Sequence, residues 1–180
     1  MNNKQIETIM SRFDSGKCFQ GVYAADMLPI YPLNNERCCY IVNTEDHTEP
    51  GEHWVSFFFP GDDGCPEYFD SYGLMPLLSI FYEFLGKRDF LFNNITLQAP
   101  LSNVCGQYCL FFLMGRLSGI SFVDLIEIFR KDDPYSNDAF VNSVINDLFG
   151  VHLKQYNNNF MGKQISRIFQ PNYQLTQYET

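Results

Sequence analysis

Gln98-Ala99-Pro100-Leu101-Ser102-Asn103-Val104-Cys105-Gly106-Gln107-Tyr108-Cys109-Leu110-Phe111-Phe112-Leu113-Met114 is the stretch on which the reading of this chain turns. It follows a strand-like run, Phe92 to Leu97, and passes through a proline turn. Ser102 and Asn103 are good N-cap residues, which predicts a helix opening directly after them. From Tyr108 to Leu113 that helix has no polar face, so it is predicted to be the buried central helix of the domain. Cys105 then falls in the first turn, where unpaired backbone N–H groups and the positive end of the helix dipole favour an anion. A thiol held there has a lowered pKa and becomes a nucleophile. The plain alternative is a small core residue, the usual role of a buried cysteine. The rest of the chain has to decide between them.

With 180 residues the chain suits one domain, large enough to bury about 70% of its unfolded surface. Apolar residues make up 46% and aromatics 17%, a globular and not a disordered composition. Twelve basic residues against twenty-one acidic give a net charge of −9, which argues against a nucleic-acid surface built on bulk charge. The six cysteines form no CxxC pair and Cys38-Cys39 are adjacent, unlike a secreted disulfide framework. Reduced thiols in an intracellular protein are expected. The first residues carry no apolar signal segment and no run reaches membrane-spanning length, so no membrane partner is expected.

Ile6, Ile9, Met10 and Phe13 have helical spacing and predict a first amphipathic helix over 3–13. Cys38 to Val42 reads as a buried strand, His53 to Phe59 as a second, and Glu67 to Asp70 as a third paired with it. A helix is predicted over 76–85 and a fourth strand over 95–97. Ser121, with Asp124 three positions on, opens a helix to about Lys131. Asp133-Pro134 reads as a break, and a last helix is predicted from Asp138 to Phe149, ended by Gly150. After His152 the composition shifts to Asn, Gln and Tyr. Residues 1–154 are therefore taken as the domain proper and 155–180 as a polar tail, either part of the same domain or flexible.

Between Arg37 and Lys87 there is no Lys or Arg, while Glu45, Asp46, Glu49, Glu52, Asp62, Asp63, Glu67, Asp70 and Glu83 all occur. That segment accounts for the whole net charge. It reads as a solvated face, or as a surface selecting a cationic substrate or partner.

Cysteine-dependent hydrolysis needs a thiolate, a base, a group that orients the base, and donors for the oxyanion. Of three histidines, His47 lies in a polar loop and reads as solvated. His152 follows the last helix and would pair with Cys105 in papain order. His53 opens a strand and precedes Trp54, which can wall one side of a narrow cleft. Asp70 ends the next strand, and in a hairpin the start of one strand lies beside the end of the next. Its carboxylate can therefore accept from the His53 ring and fix its tautomer. Gln98 lies on the approach to the same helix, and its amide can join the Cys105 backbone N–H as an oxyanion donor. Core packing, a structural His–Asp pair and a surface amide explain these residues singly. One mechanism explains them together. A zinc site from the cysteines has no ligand pair at the usual spacing, so no metal is expected.

His53-Trp54, Phe69-Asp70-Ser71-Tyr72-Gly73, Gln98, Cys105-Gly106-Gln107-Tyr108-Cys109 and the strand Cys39-Tyr40-Ile41-Val42-Asn43-Thr44 together resemble the adenovirus-type cysteine protease, adenain. The resemblance covers residues 3–150. It implies an α+β fold: a papain-like cysteine protease core in circularly permuted order, with the central helix against a mixed or antiparallel sheet. It implies Cys105 as nucleophile, His53 as base, Asp70 as orienter, Gln98 in the oxyanion hole and Trp54 at the substrate cleft. It further implies an endopeptidase that matures viral precursor polypeptides at glycine-containing sites, as a monomer, in the virion and the host nucleus or cytoplasm. No cofactor is implied for the chemistry itself.

Three features depart from that family. The acid is Asp70 where typical adenovirus enzymes have Glu; SUMO and ubiquitin-like proteases of the same fold use Asp. Activation by DNA, found in basic members, is not expected of an acidic chain. The family's viral peptide cofactor attaches through a cysteine upstream of the Gln, yet no cysteine lies between Cys65 and Cys105, so an activating peptide would bind without a disulfide. A ubiquitin- or SUMO-deconjugating protease, and a catalytically silent binding module of the same fold, are the alternatives.

Overall fold

The computed structural model describes residues 1–14, 17–32, 36–62 and 64–149. The predicted tail, its boundary at 154, the helix stop at Gly150 and His152 lie outside them. Helix α3, Cys105–Leu117, is the centre of the molecule, and every residue from Tyr108 to Gly115 on it is buried. It lies against a five-stranded sheet of β1 (Phe19–Ala24), β2 (Cys38–Asn43), β3 (Trp54–Phe59), β4 (Glu67–Phe69) and β5 (Leu91–Phe92), ordered in space as in sequence. The two outer pairs are parallel and the two inner pairs antiparallel. The architecture is α+β with a mixed sheet.

Both faces of the sheet are covered, which is why β2 and β3 read as continuous apolar runs without alternation. Cys39, Ile41, Trp54, Phe58 and Phe69 face α3 together with α1 (Asn3–Asp14) and α5 (Pro134–Phe149). Phe69 stacks on Phe112 with centroids 4.5 Å apart. Tyr40, Val55, Phe57 and Tyr68 face the other way, onto Phe81 and Phe84 of α2 (Ser79–Phe84). Those rings meet edge to face, as at Tyr40–Phe84 and Phe57–Phe81.

Several boundaries differ from the sequence reading. β1 had no strand signal because Gly21, at φ +130°, and a register shift between Phe19 and Val22 interrupt its pattern. The fourth strand is not 95–97 but Leu91–Phe92. Leu97 and Gln98 instead donate both their backbone N–H groups to the Ser71 carbonyl. Helix α2 is shorter than 76–85. Helix α4 (Phe122–Glu127) ends before Lys131, though Ser121 does cap it through a bond from the Asp124 N–H. Pro134 begins α5 instead of breaking the chain. Asp133 accepts from the Ser136 N–H, and proline suits a first helical position that has no bond to make.

Candidate active site

The β2–β3–β4 meander sets two of the site residues. Phe69 pairs with Ser56 across β3 and β4, so one step further Asp70 lies near the start of β3. His53 immediately precedes that strand, and its Nε2 lies 2.9 Å from Asp70 Oδ1. Asp70 is 3% exposed. Its backbone is fixed by Asn93, whose Oδ1 accepts the Asp70 N–H at 3.0 Å and whose amide donates back to the Asp70 carbonyl. Asp70 to Gly73 closes a turn through the Gly73 N–H and the Asp70 carbonyl. Gly73 is required there. Its φ is +70°, and a Cβ would lie 2.5 Å from the Ile95 carbonyl carbon.

Helix α3 supplies the sulfur. The expected caps, Ser102 and Asn103, stand two residues and one residue too early: Val104 is the N-cap residue, and no side chain caps the helix. The Ser102 carbonyl is held instead by Gln98 Nε2 at 2.7 Å, which keeps these residues in a turn. The consequence is chemical, because the first N–H groups of α3 are left for an anion. Cys105 is 7% exposed, and the His53 ring and the backbone N–H groups of Trp54 and Gly106 lie close enough to its sulfur to favour the thiolate. With Nε2 committed to Asp70, Nδ1 is the nitrogen left for the sulfur.

The two groups shift each other in opposite senses. Burial disfavours the charged ring of His53, but the bonds to Asp70 and Cys105, with their negative charge, outweigh it and raise the pKa to about 9. Burial also pushes the Cys105 thiol up, yet the His53 bond, the Trp54 and Gly106 N–H groups and the imidazolium charge bring it below its ordinary value. The pair is thus poised as thiolate and imidazolium.

Gln98 is 1% exposed. Its Oε1 accepts the Ser71 hydroxyl at 2.6 Å, and its Nε2 donates to Ser102 O and to the Tyr72 hydroxyl at 3.1 Å. From behind, Asn137 of α5 donates to the Leu97 carbonyl and Asp138 accepts the Ala99 N–H, so α5 anchors the loop that carries Gln98. Trp54 is 6% exposed and belongs mainly to the core, against Gly106; its carbonyl accepts the Cys109 thiol at 3.3 Å. His47 is not simply solvated, since it bonds Asp26 through both its backbone N–H and its ring. Asn93, Asn137 and Asp138 carried no recognisable signal in the sequence. The polar pair Asn137-Asp138, just inside a helix opened by Pro134, is the nearest thing to one. Among the described residues no group of three His, Cys, Asp or Glu could hold a metal ion.

A thiol beside an imidazole that is bonded in turn to a buried carboxylate is the arrangement of thiol hydrolases. The chain is similar to proteins of African swine fever virus of that kind. One, from a tick isolate of Malawi and named a cysteine protease, is 28% identical over 152 residues, which cover 74% of this chain and 54% of the relative. Another, from a tick isolate of South Africa and named a SUMO-1 cysteine protease, is 27% identical over the same shares. The chain therefore spans about half the length of the curated relatives it matches. A crystal structure of the pS273R protease of that virus matches with a TM-score of 0.53 at 20% identity, covering 78% of this chain and 65% of that one. That likeness is one of fold. No family model matches the chain.

Proposed function

We propose that the protein is a cysteine endopeptidase that processes viral precursor polypeptides. The observation that carries this is the His53–Asp70 bond beside a Cys105 thiol of lowered pKa at an uncapped helix start. The Cys105 thiolate attacks the scissile carbonyl carbon, the S–C bond forms, and the π pair moves onto oxygen. The Cys105 N–H and the Gln98 side of the cleft meet that charge. The imidazolium of His53 gives its proton to the leaving amine as the C–N bond breaks, and Asp70 keeps the ring aligned throughout. Water then enters, gives a proton back to His53 and releases the thioester as acid. Glycine at the cleavage site is expected from the resemblance to adenain. An activating peptide would bind by adding a strand at a sheet edge, without a disulfide.

The test is Cys105→Ala. The wild-type protein is expected to cleave glycine-containing peptides, and the alanine variant to keep its thermal midpoint while losing all cleavage. An alanine variant that still cleaves, or a wild type that never does, removes the reading. A second reading, deconjugation of ubiquitin-like proteins, is favoured by Asp70 in place of Glu and by the name SUMO-1 cysteine protease given to relatives. Labelling of Cys105 by a SUMO- or ubiquitin-derived suicide probe would support it, and silence toward both would exclude it.

A further inference from the structure

Tyr72 touches three residues of the site. Its backbone N–H donates to Asp70 Oδ1 at 2.8 Å. Its ring lies on the His53 imidazole, with centroids 5.0 Å apart and planes inclined by 35°. Its hydroxyl accepts from Gln98 Nε2 at 3.1 Å. Burial, then the negative charge of Cys105, Asp138 and Asp70, raise the phenol pKa, so this hydroxyl keeps its proton wherever the thiolate exists.

A count of hydrogens assigns the role. The Gln98 amide nitrogen has two. One goes to the Ser102 carbonyl and the other to the Tyr72 oxygen, while the amide oxygen is taken by Ser71. In the site without substrate, both hydrogens of Gln98 are engaged. The phenol differs, because it accepts one bond and still has its own hydrogen to give. Among the described residues none accepts it. We propose that the Tyr72 hydroxyl is the side-chain donor to the oxyanion, with Gln98 behind it holding and polarising the O–H. This rests on the cysteine-hydrolase reading above. The substrate is then an acyl compound whose carbonyl oxygen sits between the Cys105 N–H and the Tyr72 O–H. When the S–C bond forms and the π pair moves to oxygen, Tyr72 shares its hydrogen with that oxygen but does not transfer it. Chained donors of this kind strengthen one another as charge develops.

The experiment is Tyr72→Phe, which keeps the ring on His53 and the backbone N–H on Asp70 and removes only the hydroxyl. The expected result is a kcat about 10- to 100-fold lower with little change in KM. Affinity for a peptide aldehyde, whose adduct places oxygen in the same spot, falls in step. Alkylation of Cys105 by iodoacetamide passes through no oxyanion and keeps its rate and pH profile. A variant with wild-type kcat overturns the proposal. So does one whose alkylation falls as far as its kcat, since the ring would then serve only to support His53. If the variant does not fold, a ring-fluorinated tyrosine at 72, a stronger donor, replaces it; unchanged kcat and aldehyde affinity there would overturn the role. A wild type that neither turns over peptides nor alkylates faster than a free thiol fails the hydrolase reading itself. Wild-type turnover matched by Tyr72→Phe fails Tyr72 alone.

Discussion

At the scale of single residues, the mutual shift of His53 and Cys105 fixes a pH profile. The imidazole pKa is raised to about 9, so its contribution to stability is fully present below the ordinary histidine value near 6.5. It is lost as pH rises through about 9. The thiol is shifted down, so the ion pair persists between the lowered thiol value and that upper limit. A plot of kcat/KM against pH is expected to be bell-shaped with its alkaline limb near 9. Asp70→Asn removes the negative charge that raises His53 and leaves at most a neutral acceptor for its ring N–H, and so moves that limb down by about 1–3 pH units. The rate of Cys105 alkylation across the same range reports the shift independently of substrate. An alkaline limb unmoved by Asp70→Asn would mean that the carboxylate does not hold the ring.

At the scale of elements, the site is a hairpin end docked on a helix start, and the turn Asp70-Ser71-Tyr72-Gly73 joins them. Gly73→Ala must either abandon φ +70° or drive its Cβ into the Ile95 carbonyl. It is expected to lower stability by at least about 2 kcal/mol. Because Ser71 and Tyr72 hold Gln98, turnover should fall further than lost stability alone explains. Denaturant unfolding and kcat on the folded fraction separate the two, and a variant of wild-type stability would remove the steric argument. Apart from Asp70, the residues of this turn entered the sequence reading only through the resemblance, as Phe69-Asp70-Ser71-Tyr72-Gly73, because nothing local foretold that Gly73 would pack on the Ile95 carbonyl. The start of α3 was placed a residue early and its cap was misassigned, because cap preference describes a helix that satisfies its own end, and this one leaves its end open. β1 and β5 were missed for different reasons: a bulge hides the first, and the second has two residues, Leu91 and Phe92, at a sheet edge.

At the scale of the whole molecule, the buried central helix and the two inner strand pairs were plain in the apolar pattern. How the acidic segment is used was not. Glu67 and Asp70 leave solvent altogether. Glu67 forms two 2.7 Å bonds with Arg116 of α3, whose guanidinium also lies 4.7 Å over Phe58. Burial raises the Glu67 carboxyl pKa more than Arg116 lowers it. Breaking such a pair from one side typically costs about 3–5 kcal/mol, so it locks β4 to α3 and with them the two halves of the site. No composition reveals which carboxylates of a run will be buried, since that depends on a cation 49 positions away along the chain.

The distribution of thiols across the molecule has one more consequence. Cys39 and Cys109 are buried where desolvation holds them protonated, while Cys105 is drawn toward the thiolate. Peroxide attacks thiolates, so a brief exposure should convert Cys105 to its sulfenic acid while Cys39 and Cys109 stay intact, as peptide mass spectrometry with a sulfenate trap would record. Equal oxidation at Cys109 would contradict this. Catalytic readiness and vulnerability to oxidants are then the same property of one sulfur, and a reducing environment is the condition under which this chain keeps its reactivity.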